Sequence, residues 1–195
     1  KNWLIKQNKD FYFQKSKIEG YRSRAVYKLQ EINNKFKFLK KNSTVVDLGA
    51  APGSWSQFIS KEYNAKILAI DTKDIDQIKN VFIIKGDFTN SINKQKIINY
   101  FGNKVDIILS DMAVNTTGNK NLDSTLTGEL CLESLNFALK ALKINGCFIS
   151  KVFMGSTFKE IFNFAKENFK EANTFKPKSS KKNSKETFLI CKSLR

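Results

Sequence analysis

An α/β fold with a largely parallel sheet is predicted for this chain by three features. Apolar runs of strand length alternate with amphipathic runs of helix length, a glycine-bearing turn joins the first strand to a helix, and acidic residues recur just past the strands. The 195 residues, 41% of them hydrophobic, suffice for one well-packed core and are short for two, so a single domain over 1–195 is expected. Within it, residues 1–40 read as an N-terminal helical extension and 41–195 as the core.

Residues 11–18 and 23–36 carry helical spacing, the second with Ser23 in N-cap position and Val26, Tyr27, Leu29 and Ile32 as its apolar positions. Short apolar runs then predict strands over 44–48, 67–70, 81–84, 105–109, 147–152 and 187–191. Between them, helices are expected from Ser54, over 92–101, over 122–142 and over 158–169, with the one after Asp71 weak or missing. Residues 178–185 are polar and basic and read as a mobile loop between the last elements.

The turn after the first strand, Val45-Val46-Asp47-Leu48-Gly49-Ala50-Ala51-Pro52-Gly53-Ser54-Trp55-Ser56-Gln57, carries the strongest local signal. Gly49 and Gly53 let the backbone approach a ligand without a Cβ in the way, and the free N–H groups of a helix start are ready donors. A nucleoside fits such a turn. The dinucleotide fingerprint needs G-x-G-x-x-G, whereas position 51 is Ala51 and a carboxylate, Asp47, lies at the strand end; this disfavours NAD and favours S-adenosylmethionine. A glycine turn that serves strand-to-helix packing alone is the plainer alternative.

Ligands of parallel sheets bind at the carboxyl ends of the strands, and those ends are acidic here. Asp47 ends the first strand, and Asp71, Asp87 and Asp111 follow the next three, whereas Lys151 ends the fifth. An acid past the second strand suits ribose hydroxyls and one past the third an adenine amino group. Any one of them also fits a helix cap or a turn; four in register point to a site.

Lys and Arg number 34 against 18 Asp and Glu, a net charge of +16, which suits a polyanionic partner. Lys6, Lys9, Lys15, Lys17, Arg22, Arg24 and Lys28 crowd the N-terminal segment among Phe11, Tyr12, Phe13, Tyr21 and Tyr27, and Lys176, Lys178, Lys181, Lys182 and Lys185 crowd a later one. Cations there would neutralise phosphates and some of the rings would stack on unpaired bases. The alternative is that the lysines are scattered over solvated faces. The chain has no histidine, so a Ser-His-Asp triad and an imidazole base are excluded, and Cys131, Cys147 and Cys191 lack the spacing of a zinc site or a disulfide framework. No metal is expected. No run reaches the roughly 18–20 apolar residues of a membrane span, so a soluble intracellular protein is expected, its compartment open.

Further motifs accompany the 47–57 turn: Gly20-Tyr21-Arg22-Ser23-Arg24-Ala25-Val26-Tyr27-Lys28-Leu29, Ser110-Asp111-Met112-Ala113, Lys151-Val152-Phe153, and 176–186 from Lys176-Pro177 to Ser184-Lys185-Glu186. Together they carry a resemblance to the FtsJ-like 2′-O-ribose methyltransferases of RNA. It implies a Rossmann-like fold with a mostly parallel seven-stranded sheet flanked by helices and S-adenosylmethionine as cofactor. By the same resemblance, Lys28, Asp111, Lys151 and Glu186 correspond to a catalytic K-D-K-E tetrad, and Gly53, Trp55, Asp71, Asp87 and Asp111 to cofactor contacts. With the turn residues Asp47, Gly49, Ala50 and Pro52 these make up the expected cofactor site. Arg22, Arg24, Lys28, Lys178, Lys181 and Lys182 are the expected RNA contacts, the first three from the N-terminal extension. Two departures stand out: Ser54 where bacterial members commonly have a second glycine, and Val114 where proline usually precedes Asn115.

Methyl transfer to a ribose oxygen needs an in-line approach and a proton acceptor. Lys151 is the expected base, with burial and Lys28 pushing toward the neutral amine, and Asp111 and Glu186 holding the amine and the hydroxyl in position. A uridine of large-subunit ribosomal RNA is the expected target, because Ser110-Asp111-Met112-Ala113 with Asn115 looks like the ribosomal branch of the family. The tRNA anticodon loop is the alternative substrate, and an RNA-binding module that keeps the fold without catalysis is the alternative function. A monomer is expected.

Overall fold

Among the described residues, seven strands form one sheet: β1 (Thr44–Leu48), β2 (Lys66–Asp71), β3 (Val81–Lys85), β4 (Val105–Ser110), β5 (Leu142–Phe153), β6 (Phe169–Phe175) and β7 (Glu186–Leu194). Their spatial order is β3-β2-β1-β4-β5-β7-β6. The computed structural model describes residues 10–114 and 117–195; Lys6, Lys9 and Asn115, which the sequence places in a basic cluster and in the turn after Asp111, lie outside them. β1 to β5 run parallel, and β7 inserts antiparallel between β5 and β6. The strands alternate their apolar residues between two cores, as a sheet covered on both faces must. Val45, Ile67, Ile107, Ile149 and Ile190 feed one core, and Val46, Leu68, Ile108, Phe148 and Leu189 the other.

The helices are α1 (Phe11–Ile18), α2 (Ala25–Phe36), α3 (Ser54–Tyr63), α4 (Ser91–Phe101), α5 (Lys120–Ala141) and α6 (Phe158–Asn168). α2 and α3 cover the first face and α4, α5 and α6 the second. Val26, Leu29 and Ile32 of α2 are fully buried. This N-terminal helix therefore anchors itself in the core while Lys28, on the same element, is free to face the strand ends. Residues 72–80 contain no helix, as the weak pattern after Asp71 predicts.

Two helix starts are refined and two local expectations are corrected. α2 begins at Ala25 with Arg24 in N-cap position, and the Ser23 hydroxyl, one residue earlier than the cap, accepts the Ala25 N–H at 3.3 Å and meets the Ser54 hydroxyl at 2.7 Å, joining the starts of two helices. α3 starts at Ser54 as expected, with Gly53 as its cap at φ = +101°. β6 is a strand where the sequence shows none: its apolar residues Phe169, Ala172 and Phe175 recur every third position, a helical spacing, and the strand is a half-exposed edge paired with β7 alone. The start of the 178–185 loop is fastened rather than mobile, since Ser179 and Ser180 are buried and the Ser179 backbone is bonded to Glu31 of α2 and to Arg24 at its start.

Candidate active site

Gly49 follows β1 with φ = +71°, and its N–H and that of Ala50 both donate to the Ile70 carbonyl at the end of β2. The Ala51 N–H donates to Asp71 Oδ2 at 2.9 Å, so the acid past the second strand shapes the turn as well as facing the cleft beside it. A Cβ on Gly49 would lie 2.4 Å from Met112 Cγ and 3.1 Å from Met112 Cα, so this position tolerates no side chain. The turn thus forms one wall of a cleft of about 450 Å³ lined by Gly49, Asp71, Asp87, Phe88, Asp111 and Met112. Asp87 uses Oδ1 to accept from the backbone N–H and hydroxyl of Thr89, both at 2.8 Å.

Other expected cofactor residues lie elsewhere in the turn. Ala50, Pro52, Asp47 and Trp55 line a small cavity beneath the turn, which Gly49 and Asp111 share with the main cleft. Gly53 is the cap of α3. The Trp55 indole is buried against Phe188 and donates to the Ala25 carbonyl at 2.8 Å, so its ring welds α3 to α2 instead of facing the cleft. Asp47 is 1% exposed and accepts from Ser56 Oγ at 2.7 Å. Burial pushes its carboxyl up to about 7 against the pull of that hydrogen bond. The stability it contributes is therefore complete below about pH 4 and lost as the pH rises toward 7. Urea unfolding of wild type and Asp47→Asn should show the variant gaining relative stability as the pH is raised from about 4 to 7, by up to roughly 1.4 kcal/mol per pH unit.

The four residues of the expected tetrad converge from α2, the end of β4, β5 and the start of β7. Lys28 Nζ donates to Glu186 Oε2 at 2.9 Å and stands 3.9 Å from Asp111 Oδ2. Lys151 Nζ lies 3.0 Å from Asp111 Oδ1 and donates to the Asp111 backbone carbonyl at 2.6 Å. The register that pairs Phe153 with Glu186 and Lys151 with Phe188 brings β5 and β7 to the site. Glu186, Lys28, Asp111 and Lys151 thus form a chain of alternating charge with no net excess. Burial alone would pull Lys28 down, but Asp111 and Glu186 outweigh it and hold the ammonium above its ordinary value. Burial opposes ionisation of Asp111 too, yet Lys151 and Lys28 keep its carboxyl below the usual range.

Asp111 also lines the cleft, while Lys28 and Glu186 line a second groove of about 300 Å³ with Arg24, Lys181, Ser184 and Ser23. Two concave sites therefore meet at one cluster of charged groups. That is the arrangement a group transfer between two bound molecules requires. A family model described as FtsJ-like methyltransferase matches residues 21–194.

This chain belongs to the FtsJ-like methyltransferases. Proteins similar to it over nearly their full length bear the name ribosomal RNA large subunit methyltransferase E. That of Pelagibacter ubique is 51% identical over 196 residues, covering 100% of this chain and 97% of its own. That of Rickettsia akari is 45% identical, covering 97% of this chain and 86% of its own. The crystal structure of a protein from Plasmodium falciparum described as a ribosomal RNA methyltransferase matches with a TM-score of 0.79 at 41% identity, over 89% of this chain and 98% of that one.

The basic residues of this FtsJ-like methyltransferase divide into two groups. Arg22 is corrected from an RNA contact to a structural clamp: Nη1 donates to the carbonyls of Pro52 and Asp76 and Nη2 to that of Gln77, which occupies the guanidinium fork. Arg24 is also engaged internally, with the Ser179 carbonyl and Asp10, although its edge reaches the groove. Lys178, Lys181 and Lys182 are exposed. Most N-terminal rings pack on one another, Tyr12 on Tyr27 and Tyr27 on Tyr21, and of those rings Phe11 is the exposed one. Sequence reasoning missed Phe88, Met112 and Leu130 of the cleft; Phe88 and Met112 each follow a flagged acid, whereas Leu130, within α5, carries no local signal.

Proposed function

We propose that this enzyme methylates a ribose 2′-hydroxyl of large-subunit ribosomal RNA, a uridine by the family resemblance, using S-adenosylmethionine. The observation that carries the reading is Asp111, which lines the cleft and is ion-paired to both Lys28 and Lys151. The cleft suits this cofactor. Asp71 and Asp87 offer acceptors for ribose hydroxyls and an adenine amino group, Phe88 and Met112 offer apolar walls, and the concentration of carboxylates favours a sulfonium cation over a pyrophosphate. When bound there, S-adenosylmethionine supplies an electrophilic methyl group.

The chain's own residues do the rest. Lys28, fixed as a cation, and Glu186 orient the ribose in the groove, and Asp111 holds Lys151 beside it. Lys151 would accept the proton of the 2′-hydroxyl as that oxygen takes the methyl group from sulfur, with S-adenosylhomocysteine as the other product. Lys178, Lys181 and Lys182 meet the phosphates that flank the target. One chain carries both concave sites and all four tetrad residues, so the reading requires no second copy.

The test is transfer of labelled methyl from S-adenosylmethionine to large ribosomal subunits, free large-subunit RNA and bulk tRNA in parallel. Label in the ribosomal material is the expected result. Label in tRNA alone would keep the chemistry and replace the substrate with the anticodon loop. Cofactor binding without transfer to any of the three would make the chain an RNA-binding module.

A further inference from the structure

Glu31 lies three residues after Lys28 on α2 and so shares its face. Its two carboxylate oxygens accept two consecutive backbone N–H groups of the loop after β6: Lys178 N at 2.6 Å to Oε2 and Ser179 N at 2.9 Å to Oε1. Arg24, seven residues earlier at the start of α2, donates to the Ser179 carbonyl that follows them. Paired backbone donors facing a carboxylate form a strong anchor, because each bond is charge-assisted. The anchored stretch continues into Ser180, whose hydroxyl donates to Glu186 Oε1 at 2.7 Å, and Glu186 Oε2 in turn accepts from Lys28 at 2.9 Å. Ser179 is fully buried and Ser180 is 5% exposed, so the stretch is packed as well as bonded.

We propose that Glu31 is a positioning residue for methyl transfer: by clamping the Lys178–Ser179 backbone it sets Ser180, and through Ser180 the direction of Glu186 toward Lys28. The inference rests on the tetrad reading above and extends it from the four charged groups to the part that aims one of them. Glu31 lines neither the cleft nor the groove, so its effect reaches the reaction through the loop. The same clamp holds Lys181, two residues after Ser179, at the wall of the groove.

The test compares wild type, Glu31→Gln, Glu31→Ala, Ser180→Ala and the Glu31→Gln/Ser180→Ala double variant. Readouts are steady-state methyl transfer to large ribosomal subunits, calorimetric titration of S-adenosylhomocysteine, and native-state trypsin cleavage at Lys178, Lys181 and Lys182. Turnover is expected to fall by about tenfold in Glu31→Ala and less in Glu31→Gln, which retains one acceptor oxygen, while cofactor affinity stays within about twofold. Trypsin should cut the loop faster in the same order. The double variant should lose less turnover than the product of the single losses, because both changes act through Glu186. Should Glu31→Ala fail to fold, Glu31→Gln and Ser180→Ala hold the comparison. Wild-type turnover and cleavage in Glu31→Gln, or losses that multiply in the double variant, would overturn the proposal. An inactive wild type would instead strike the underlying reading.

Discussion

Lys151→Ala is expected to reduce methyl transfer at least about a thousandfold while cofactor affinity changes little, as measured by single-turnover assays and calorimetric titration. The amine is 3.0 Å from Asp111 Oδ1, Asp111 lines the cleft, and the proposed function makes this amine the acceptor of the hydroxyl proton. Lys151→Arg separates this role from simple charge. Arginine keeps the cation and the pairing with Asp111 but does not give up its proton at working pH, so it too should be inactive. A Lys151→Arg enzyme that turned over at more than a tenth of the wild-type rate would show that the cation suffices. Lys151 also donates to the Asp111 backbone carbonyl, so the alanine variant removes a tie on the loop that lines the cleft. Cofactor affinity falling in parallel with turnover would make Lys151 a positioning residue instead of the base.

Asp111→Ala is expected to cost both stability and activity. Its carboxylate lies between two cations, and its removal leaves Lys28 and Lys151 largely buried with Glu186 as the remaining carboxylate of the tetrad. Breaking a buried pair by deleting one partner costs about 3–5 kcal/mol, because the other charge stays desolvated. Here two charges are affected and both are lysines, which can relieve the penalty by losing a proton, so the loss should shrink as the pH is raised above neutrality. Denaturant melts between about pH 7 and 9 would show this. Lys28→Met added to Asp111→Ala should recover part of the lost stability, since it removes one of the two orphaned cations. Strict additivity of the two changes would contradict the coupling. Turnover should vanish in every member of this series, because Asp111 shares the cleft and the tetrad.

The alternation of strands and helices was legible because burial periodicity and turn chemistry are local, and β1 to β4 and their helices fall where those patterns place them. β6 was not, because an edge strand buries one face at most and Phe169, Ala172 and Phe175 happen to fall at helical spacing. The acids past the strands were legible for the topological reason that a parallel sheet sends every carboxyl end to one side. Of these, Asp71, Asp87 and Asp111 line the cleft, while Asp47 sits beneath the turn on Ser56. Glu31 carried a weak signal in its spacing from Lys28, but nothing in its neighbourhood along the chain announces the loop it holds.

By itself the sequence determined the α/β class, the turn that forms one wall of the cleft and the acids past the strands, all features set by local patterns along the chain. Tertiary structure alone decided which partners each cation takes. Arg22 and Lys28 look equivalent in sequence, six residues apart in one basic stretch, yet Arg22 is filled by carbonyls of Pro52, Asp76 and Gln77 while Lys28 reaches Glu186, 158 positions away. The physical reason is that a long basic side chain takes its role from whichever acceptors the fold brings within about 3 Å, and those acceptors come from distant parts of the chain.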